Sequence, residues 1–275
     1  MKLIGLIIAV ATGALLIYAT ADFPAWGDPA SPASTHLSPH FIEKAMEETS
    51  VPNIVTAVLA DYRGYDTMYE TAVIFSAGLV CFFLLRTFVR MEPGDELYRH
   101  VLTGVTIRVQ EGREMPPSED FERIDTHWTP HDLIIKTVCR LLIPFIQLLA
   151  LYVIAHGHHS PGGGFQGGVI LGAGIILLAI SHDLRTAVQR VREKLDVLLS
   201  PLGVFIYAGT GALCLLLGFN FLDYGALASV LHVDPITARS HGILLVEIGV
   251  GIAVMATMIW IYSNLSSAGK YDEGL

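Results

Sequence analysis

The chain has 275 residues, of which 52% are hydrophobic and only 16% charged, where a soluble domain carries about 25% charged residues. Its mean hydropathy is +0.54, more apolar surface than a water-soluble globular enzyme uses. A net charge of −9 without a basic patch excludes a nucleic-acid partner.

All three cysteines, Cys81, Cys139 and Cys214, lie in apolar runs with no CxxC pair, where a thiol behaves as a small hydrophobe. A disulfide framework, an iron–sulfur centre and a structural zinc site are therefore not expected, and no cofactor is assigned.

The first apolar run covers residues 3–20 and ends in Ala19-Thr20-Ala21, which also reads as a signal-peptidase site. It is longer than the roughly 7–15-residue core of a signal peptide, which favours an uncleaved helix. Residues 22–50 carry Pro24, Pro29, Pro32 and Pro39 and read as a loop with a short helix at 41–48. Residues 52–62 have a helical pattern too short to span a bilayer, with Gly64 ending it. A second span is predicted over 68–89, and residues 91–129 form a polar extramembrane connection. A third span covers 132–155, with Pro144 inside, and a fourth 161–180. Residues 184–199 alternate apolar and basic side chains, which predicts an amphipathic surface helix. The fifth and sixth spans cover 202–221 and 241–263.

This pattern predicts an all-α integral membrane protein with about six transmembrane helices. It is organised as a two-helix region over 1–90, a polar linker over 91–130 and a four-helix region over 131–275. With the N-terminus inside, only Lys44, Arg63 and Arg239 of the 17 Lys and Arg fall on the outer side. That bias puts both termini in the cytoplasm.

The most unusual segment is HGHHSPGGGFQGG, from His156 to Gly168, between the third and fourth spans. Ser160 can cap the fourth helix and Pro161 suits its first turn. Gly162 and Gly163 precede Gly164, and Gly164, Gly168 and Gly172 then recur every four residues beside Gly167. One reading is a tight turn and a smooth face for close helix packing. The other is a re-entrant, water-lined ion entrance. No Lys-Ser/Thr follows the glycines, so this is not a phosphate-binding loop. His156, His158 and His159 lack a nearby fourth metal ligand; no metal is assigned, and titration at a proton mouth is the simpler role.

Carboxylates within spans are functional candidates by default. Glu247 sits among apolar neighbours roughly two turns into the sixth span and suits either a proton carrier or a neutral structural acid. His241 lies on nearly the same face, six residues earlier. Thr67 and Glu70 have capping-box spacing, and Glu70 is alternatively a carboxylate open to protons or Na+ near the outer end of span two. Asp61 and Asp66 flank it, with Arg63 pairing with one of them. Asp132, Lys136 and Arg140 share one helical face, as an ion pair or as a lysine gating proton movement.

From about residue 132 onward the chain resembles the MnhB-type component of the Mrp-type multi-subunit Na+/H+ antiporters. The resemblance rests on HGHHSPGGGFQGG, SPLGVFIYAGTGALCLLLG and HGILLVEIGVGIAVMATMIWIY. The earlier stretch NIVTAVLADYRGYDTMYETAVIFSAGL resembles the C-terminal tail of the large A-type antiporter component, which stands as a separate small protein in related membrane-bound hydrogenases. The resemblance implies a multi-pass component of the inner (plasma) membrane, in a complex moving Na+ and H+. Its implied partners are large A- and D-like and small C-, E-, F- and G-like subunits and the lipid bilayer. Positions carried over are Asp132, Lys136, His156, the glycine run, Glu247, Asp61, Asp66 and Glu70. Two alternatives stay open: a membrane-arm subunit of a hydrogenase or related respiratory oxidoreductase with its catalytic centres in other chains, and a purely structural spacer. No inverted internal repeat marks a self-contained transporter.

Overall fold

The computed structural model describes residues 2–85, 96–103, 105–109, 120–124 and 133–267. Contacts divide the chain into two compact units, 1–45 and 46–275.

In the first unit, helix α1 (Lys2–Ala19) is apolar on every side, and none of its hydrophobic window is buried by protein. Such a helix is stable only where lipid or another chain covers it. A short 3-10 turn, Thr20–Asp22, follows it. Helix α2 (Ser38–Thr49) begins in this unit.

In the second unit, which begins within α2, the short helix α3 (Ile54–Ala57) comes next. A π-turn, Val58–Tyr62, continues it. Helix α4 (Gly64–Phe83) then starts at Gly64 itself, so Gly64 opens the second span rather than closing the short helix. The Thr67–Glu70 capping box does not form. Thr67 lies inside α4, and its hydroxyl donates to Leu59 O at 2.7 Å.

The polar connection holds a small antiparallel sheet of β1 (Glu96–His100), β2 (Thr106–Val109) and β3 (Phe121–Ile124), in the order β2-β1-β3. Tyr98 pairs with Ile107 on one side and with Arg123 on the other. These segments alternate apolar and polar residues with a period of two, the signature of a half-covered strand. The spans are all helical, and the sheet is an extramembrane addition to the expected fold.

Four more long helices complete the unit: α5 (Leu133–Ala155), α6 (Gly164–Ser181), α8 (Glu193–Leu216) and α10 (Pro235–Ser266). With α1 and α4, they make six helices among the described residues that are long and apolar enough to cross a membrane. The amphipathic stretch divides at Val191 and Arg192. Its first part is the short helix α7 (Leu184–Arg190), and its second is the start of α8. The surface helix expected over 184–199 is therefore only half present. Residues 193–199 are the first turns of a span.

Helix α10 is the hub. Its hydrophobic window is 67% buried, against 11% in α4 and α5. It begins at Pro235, earlier than expected, because Asp234 accepts from Thr237 N at 2.9 Å and Pro235 suits the first turn. At about 1.5 Å per residue, Glu247 lies roughly 18 Å along the helix from Pro235, more than three turns in rather than two. Helices α4 and α6 run parallel to α10, and α5 and α8 run against them, which follows from the matched contacts along each seam. A ninth helix in chain order, α9 (Ala228–Leu231), is a single turn before α10.

Candidate functional site

Glycine lets α6 lie directly on α10. A Cβ at Gly168 would sit 2.6 Å from Gly251 O, and one at Gly172 would sit 3.3 Å from Met258 Cβ. On its other side α6 meets α5, where Gly167 and Gly174 face Ile154 and Gln147. Gln147 anchors that seam by donating to Leu171 O at 3.1 Å. This close backbone approach is how helices associate where apolar burial offers no advantage over lipid.

At the start of α6 the glycines make room for one side chain, Glu247. Gly162 and Gly163 have φ of +144° and +141°, a region that side chains with a Cβ avoid. A Cβ at Gly163 would lie 2.6 Å from Glu247 Oε1, and one at Gly157 would lie 2.6 Å from Oε2. At Gly164 a Cβ would meet the Glu247 backbone oxygen at 1.9 Å. The Glu247 carboxylate thus lies against the start of α6, and its Oε2 is buried without a partner. Two effects oppose each other on this group. Burial disfavours its charge, and the N-terminus of α6 favours it.

Ser160 and Pro161 do not begin α6. Ser160 instead closes α5, its N–H and hydroxyl both donating to His156 O, at 2.9 and 3.1 Å. The two positive-φ glycines that follow turn the chain before a helix can start.

Glu247 lines a cavity of about 260 Å³ with Glu70, Thr67, Gly162, Gly163, Gln166 and Tyr207 among its walls. Two carboxylates proposed from sequence thus meet at one site, brought by α10 and α4. Glu70 is exposed.

The neighbouring loop is pinned by residues that sequence reading passed over. Asn53 donates from Nδ2 to Gly157 O at 2.8 Å and to Ser160 O at 2.9 Å, and its N–H donates to His158 O at 2.9 Å. Thr56 Oγ1 also donates to Gly157 O, at 2.8 Å. These bonds join residues about a hundred positions apart, beyond the reach of any local pattern. The three histidines point to different surroundings. His156 is exposed and stacks on Tyr152, with ring centroids 4.0 Å apart. His159 is exposed, 6.4 Å from the His158 ring. His158 is half-buried, and burial, then the charges of His159 and His241, pushes its imidazole below the usual value.

Asp61 stands at a second place. Its side chain is 4% exposed and pairs with Arg239 of α10, Nε to Oδ2 at 3.1 Å and Nη2 donating to Oδ1 at 3.3 Å. Burial still outweighs the guanidinium and raises Asp61 to about 6. Beside it, Tyr224 donates to Ala60 O at 3.0 Å and Tyr207 to Gly64 O at 2.9 Å, both from fully buried rings. Arg239 also lines an open cavity of about 600 Å³ with Glu47, Glu48 and Asp223.

The remaining candidates line neither cavity. Arg63 pairs with Asp66, three residues on, and not with Asp61. His241 is exposed. Lys136 is exposed on α5, and Asp132, its expected partner, lies outside the described residues. Among the described residues no three His, Cys, Asp or Glu side chains gather as a metal site.

A bundle of apolar helices packed on a glycine-lined hub, with a carboxylate nested at its centre, defines a multi-pass membrane protein. Residues 134–260 match the domain related to the MnhB subunit of Na+/H+ antiporters, and residues 2–97 match MbhE, the E-type subunit of MBH. An antiporter subunit mnhB2 of Staphylococcus haemolyticus is 31% identical over 137 residues, 46% of this chain and 94% of that one. The chain belongs to the MnhB family of antiporter subunits. A probable K+/H+ antiporter A/B-type subunit of Rhizobium meliloti is 25% identical over 86% of this chain, but the chain spans only 22% of its length. In fold, the chain is similar to one from the membrane-bound sulfane sulfur reductase, an archaeal respiratory membrane complex. That match has a TM-score of 0.58 at 22% identity and covers 96% of this chain and 97% of the other.

Proposed function

We propose that this chain is a membrane subunit of a multi-subunit cation/proton antiporter module, with Glu247 and Glu70 supplying protonatable carboxylates to a hydrated cavity on its ion path. The observation that carries the reading is the shared cavity. Two acids from separate helices line it, and one of them, Glu247, is packed against glycines at the start of α6 with Oε2 unpartnered and with no cation paired to it among the described residues. A carboxylate held in that way can change charge as its surroundings change, which coupling of ions to protons requires. The family membership and the names of the relatives support transport rather than catalysis. Na+ or K+ and H+ are the transported ions, and large A- and D-like and small C-, E-, F- and G-like subunits are the partners. The Lys and Arg distribution supports cytoplasmic termini in the plasma membrane.

The test is Glu247→Gln in the assembled complex. Everted membrane vesicles should lose Na+- or K+-dependent proton movement by more than tenfold, while the complex keeps its size on a native gel. Wild-type transport in that variant leaves this chain a spacer and sinks the reading.

One observation favours a second setting for the same protein. Its N-terminal part, residues 2–97, matches the MbhE family. In that setting the module is the membrane arm of a respiratory complex whose redox centres lie in other chains. Purifying the complex through a tag on this chain distinguishes the two, because redox subunits should co-purify only in the second case.

A further inference from the structure

Another buried acid lies at the other end of the α8–α10 seam. Asp196, in the first turn of α8, is 1% exposed. The seam is antiparallel and tight. Ser200 Oγ and Thr257 Oγ1 are 2.5 Å apart, and a Cβ at Gly203 would lie 2.5 Å from Ala253 N. Continuing that register by one turn puts Asp196 level with Trp260 and Asn264, which are 3% and 1% exposed.

These three side chains share an unmet need. Asp196 Oδ1 and Asn264 Oδ1 are buried acceptors without a donor, and Trp260 Nε1 is a buried donor without an acceptor. Asn264 already donates from Nδ2 to Trp260 O at 2.8 Å, so its amide is turned with Oδ1 facing away from its own helix ladder. Buried polar groups left unpaired are costly. With Asp196 ionised, the group has two acceptors for one donor. One added proton makes it two for two: the indole N–H for Asp196 Oδ1, and the carboxyl O–H for Asn264 Oδ1. A divalent cation would want about six oxygens and would find too few here.

We propose that Asp196, Trp260 and Asn264 form a second proton-holding site, at the opposite end of the α8–α10 seam from Glu247. The proton adds to the Asp196 carboxylate, forming the O–H bond, and leaves to water near the start of α8. The Ser200–Thr257 hydroxyl pair is the next polar group along the seam. The charged and titratable groups nearest it in the chain are Glu193 and Lys194, in the same first turn of α8, and Arg192, which precedes that turn. By register with α10, His182 at the end of α6 lies at this level, its ring 3.0 Å from Ser181 Oγ. Phe82 of α4, against Trp260, adds no charge. No cation pairs with Asp196 among the described residues.

The inference rests on the transport reading above, and the experiment separates the two. In the purified complex near neutral pH, infrared difference spectra between wild type and Asp196→Asn should lose one protonated-carboxyl band. Loss of a carboxylate band pair instead overturns the proposal. In vesicles, Asp196→Asn should cut coupled proton movement at least tenfold with the complex intact. Full transport in Asp196→Asn beside lost transport in Glu247→Gln overturns this site and leaves the first reading standing. Full transport in both sinks the first reading. If the variant does not assemble, the wild-type complex decides. An apolar carbodiimide, which reacts with protonated carboxyls in hydrocarbon, should modify Asp196 as read by peptide mass spectrometry. Modified Glu247 with unmodified Asp196 overturns the proposal.

Discussion

Asp61 and Glu247 are both carboxylates withdrawn from water against α10, and they are buried by different means. Asp61 has a guanidinium, Arg239, on the same helix that carries Glu247 about 12 Å further along. Glu247 pairs with no cation among the described residues. It has three glycines around it, the start of α6 and an oxygen without a partner. An acid with a fixed countercharge is tied to one place and braces the structure. An acid whose only support is a helix N-terminus has little to hold its charge, so its protonation can follow the state of the complex. The first arrangement suits a clamp and the second suits a carrier.

The largest expected effect breaks the clamp. Arg239→Leu leaves Asp61 buried and unpaired, which costs about 3–5 kcal/mol when one partner of a buried pair is removed. Arg239 is 31% exposed, so the lower end is expected. Thermal unfolding of the detergent-solubilised complex measures it. Adding Asp61→Asn to the same protein should recover most of the loss. A double variant as unstable as the single one means that Arg239 acts elsewhere.

Next in size is the pH dependence of that clamp. The folded protein raises Asp61 from an ordinary 3.8 to about 6. An acid raised in this way binds its proton more tightly folded than unfolded. Its contribution to stability is full below about 4 and is lost as pH rises through about 6, by an amount on the order of 3 kcal/mol. Unfolding midpoints should therefore fall across that window and level off above it. Asp61→Asn should remove this part of the slope. A midpoint that climbs from pH 4 to 6 because of Asp61 contradicts the sign.

The same contrast shows what a sequence reveals. The spans were legible because lipid demands long apolar runs, and Glu247 was legible because a charge inside such a run is rare. Gly164, Gly168 and Gly172 showed their spacing, but not that Gly163 and Gly157 make room for Glu247 itself. Asp61 was visible only as one of several acids. Its partner, Arg239, lies 178 residues away, and nothing local ties the two together. Asp196 was hidden for another reason. The basic alternation around it imitates a surface helix, while α8 starts at Glu193 and takes Asp196 into the seam. The misplaced α6 start has a similar cause. Ser160 and Pro161 are good opening residues, but the positive-φ glycines after them forbid a helix until Gly164.

A smaller effect sharpens the carrier side. Gly163→Ala places a methyl 2.6 Å from Glu247 Oε1 at a φ of +141°. Overpacking and backbone strain together should cost about 1–3 kcal/mol and lower transport, since the methyl displaces the carboxylate. Gly218, with φ +86° and nothing within 4 Å of an added Cβ, is the control for strain alone. Gly218→Ala should keep wild-type transport. Equal transport defects in the two variants would mean that the defect comes from backbone strain and not from Glu247.

The smallest effect on stability separates carrying from bracing most cleanly. Glu70 is exposed to the cavity it shares with Glu247 and makes no capping bond. Glu70→Gln should change the unfolding midpoint by no more than about 0.5 kcal/mol, as for most exposed positions. If the cavity is a proton route, transport should nevertheless fall, and its pH profile should shift, because the amide cannot exchange a proton. A brace would behave in the opposite way, with stability lost and the pH profile unmoved. Arg239→Leu and Glu70→Gln therefore form a pair: the first should damage the fold more than the profile, and the second the profile more than the fold. If both variants moved stability and pH profile together, the division between a clamp at Asp61 and a carrier at Glu247 would have no basis.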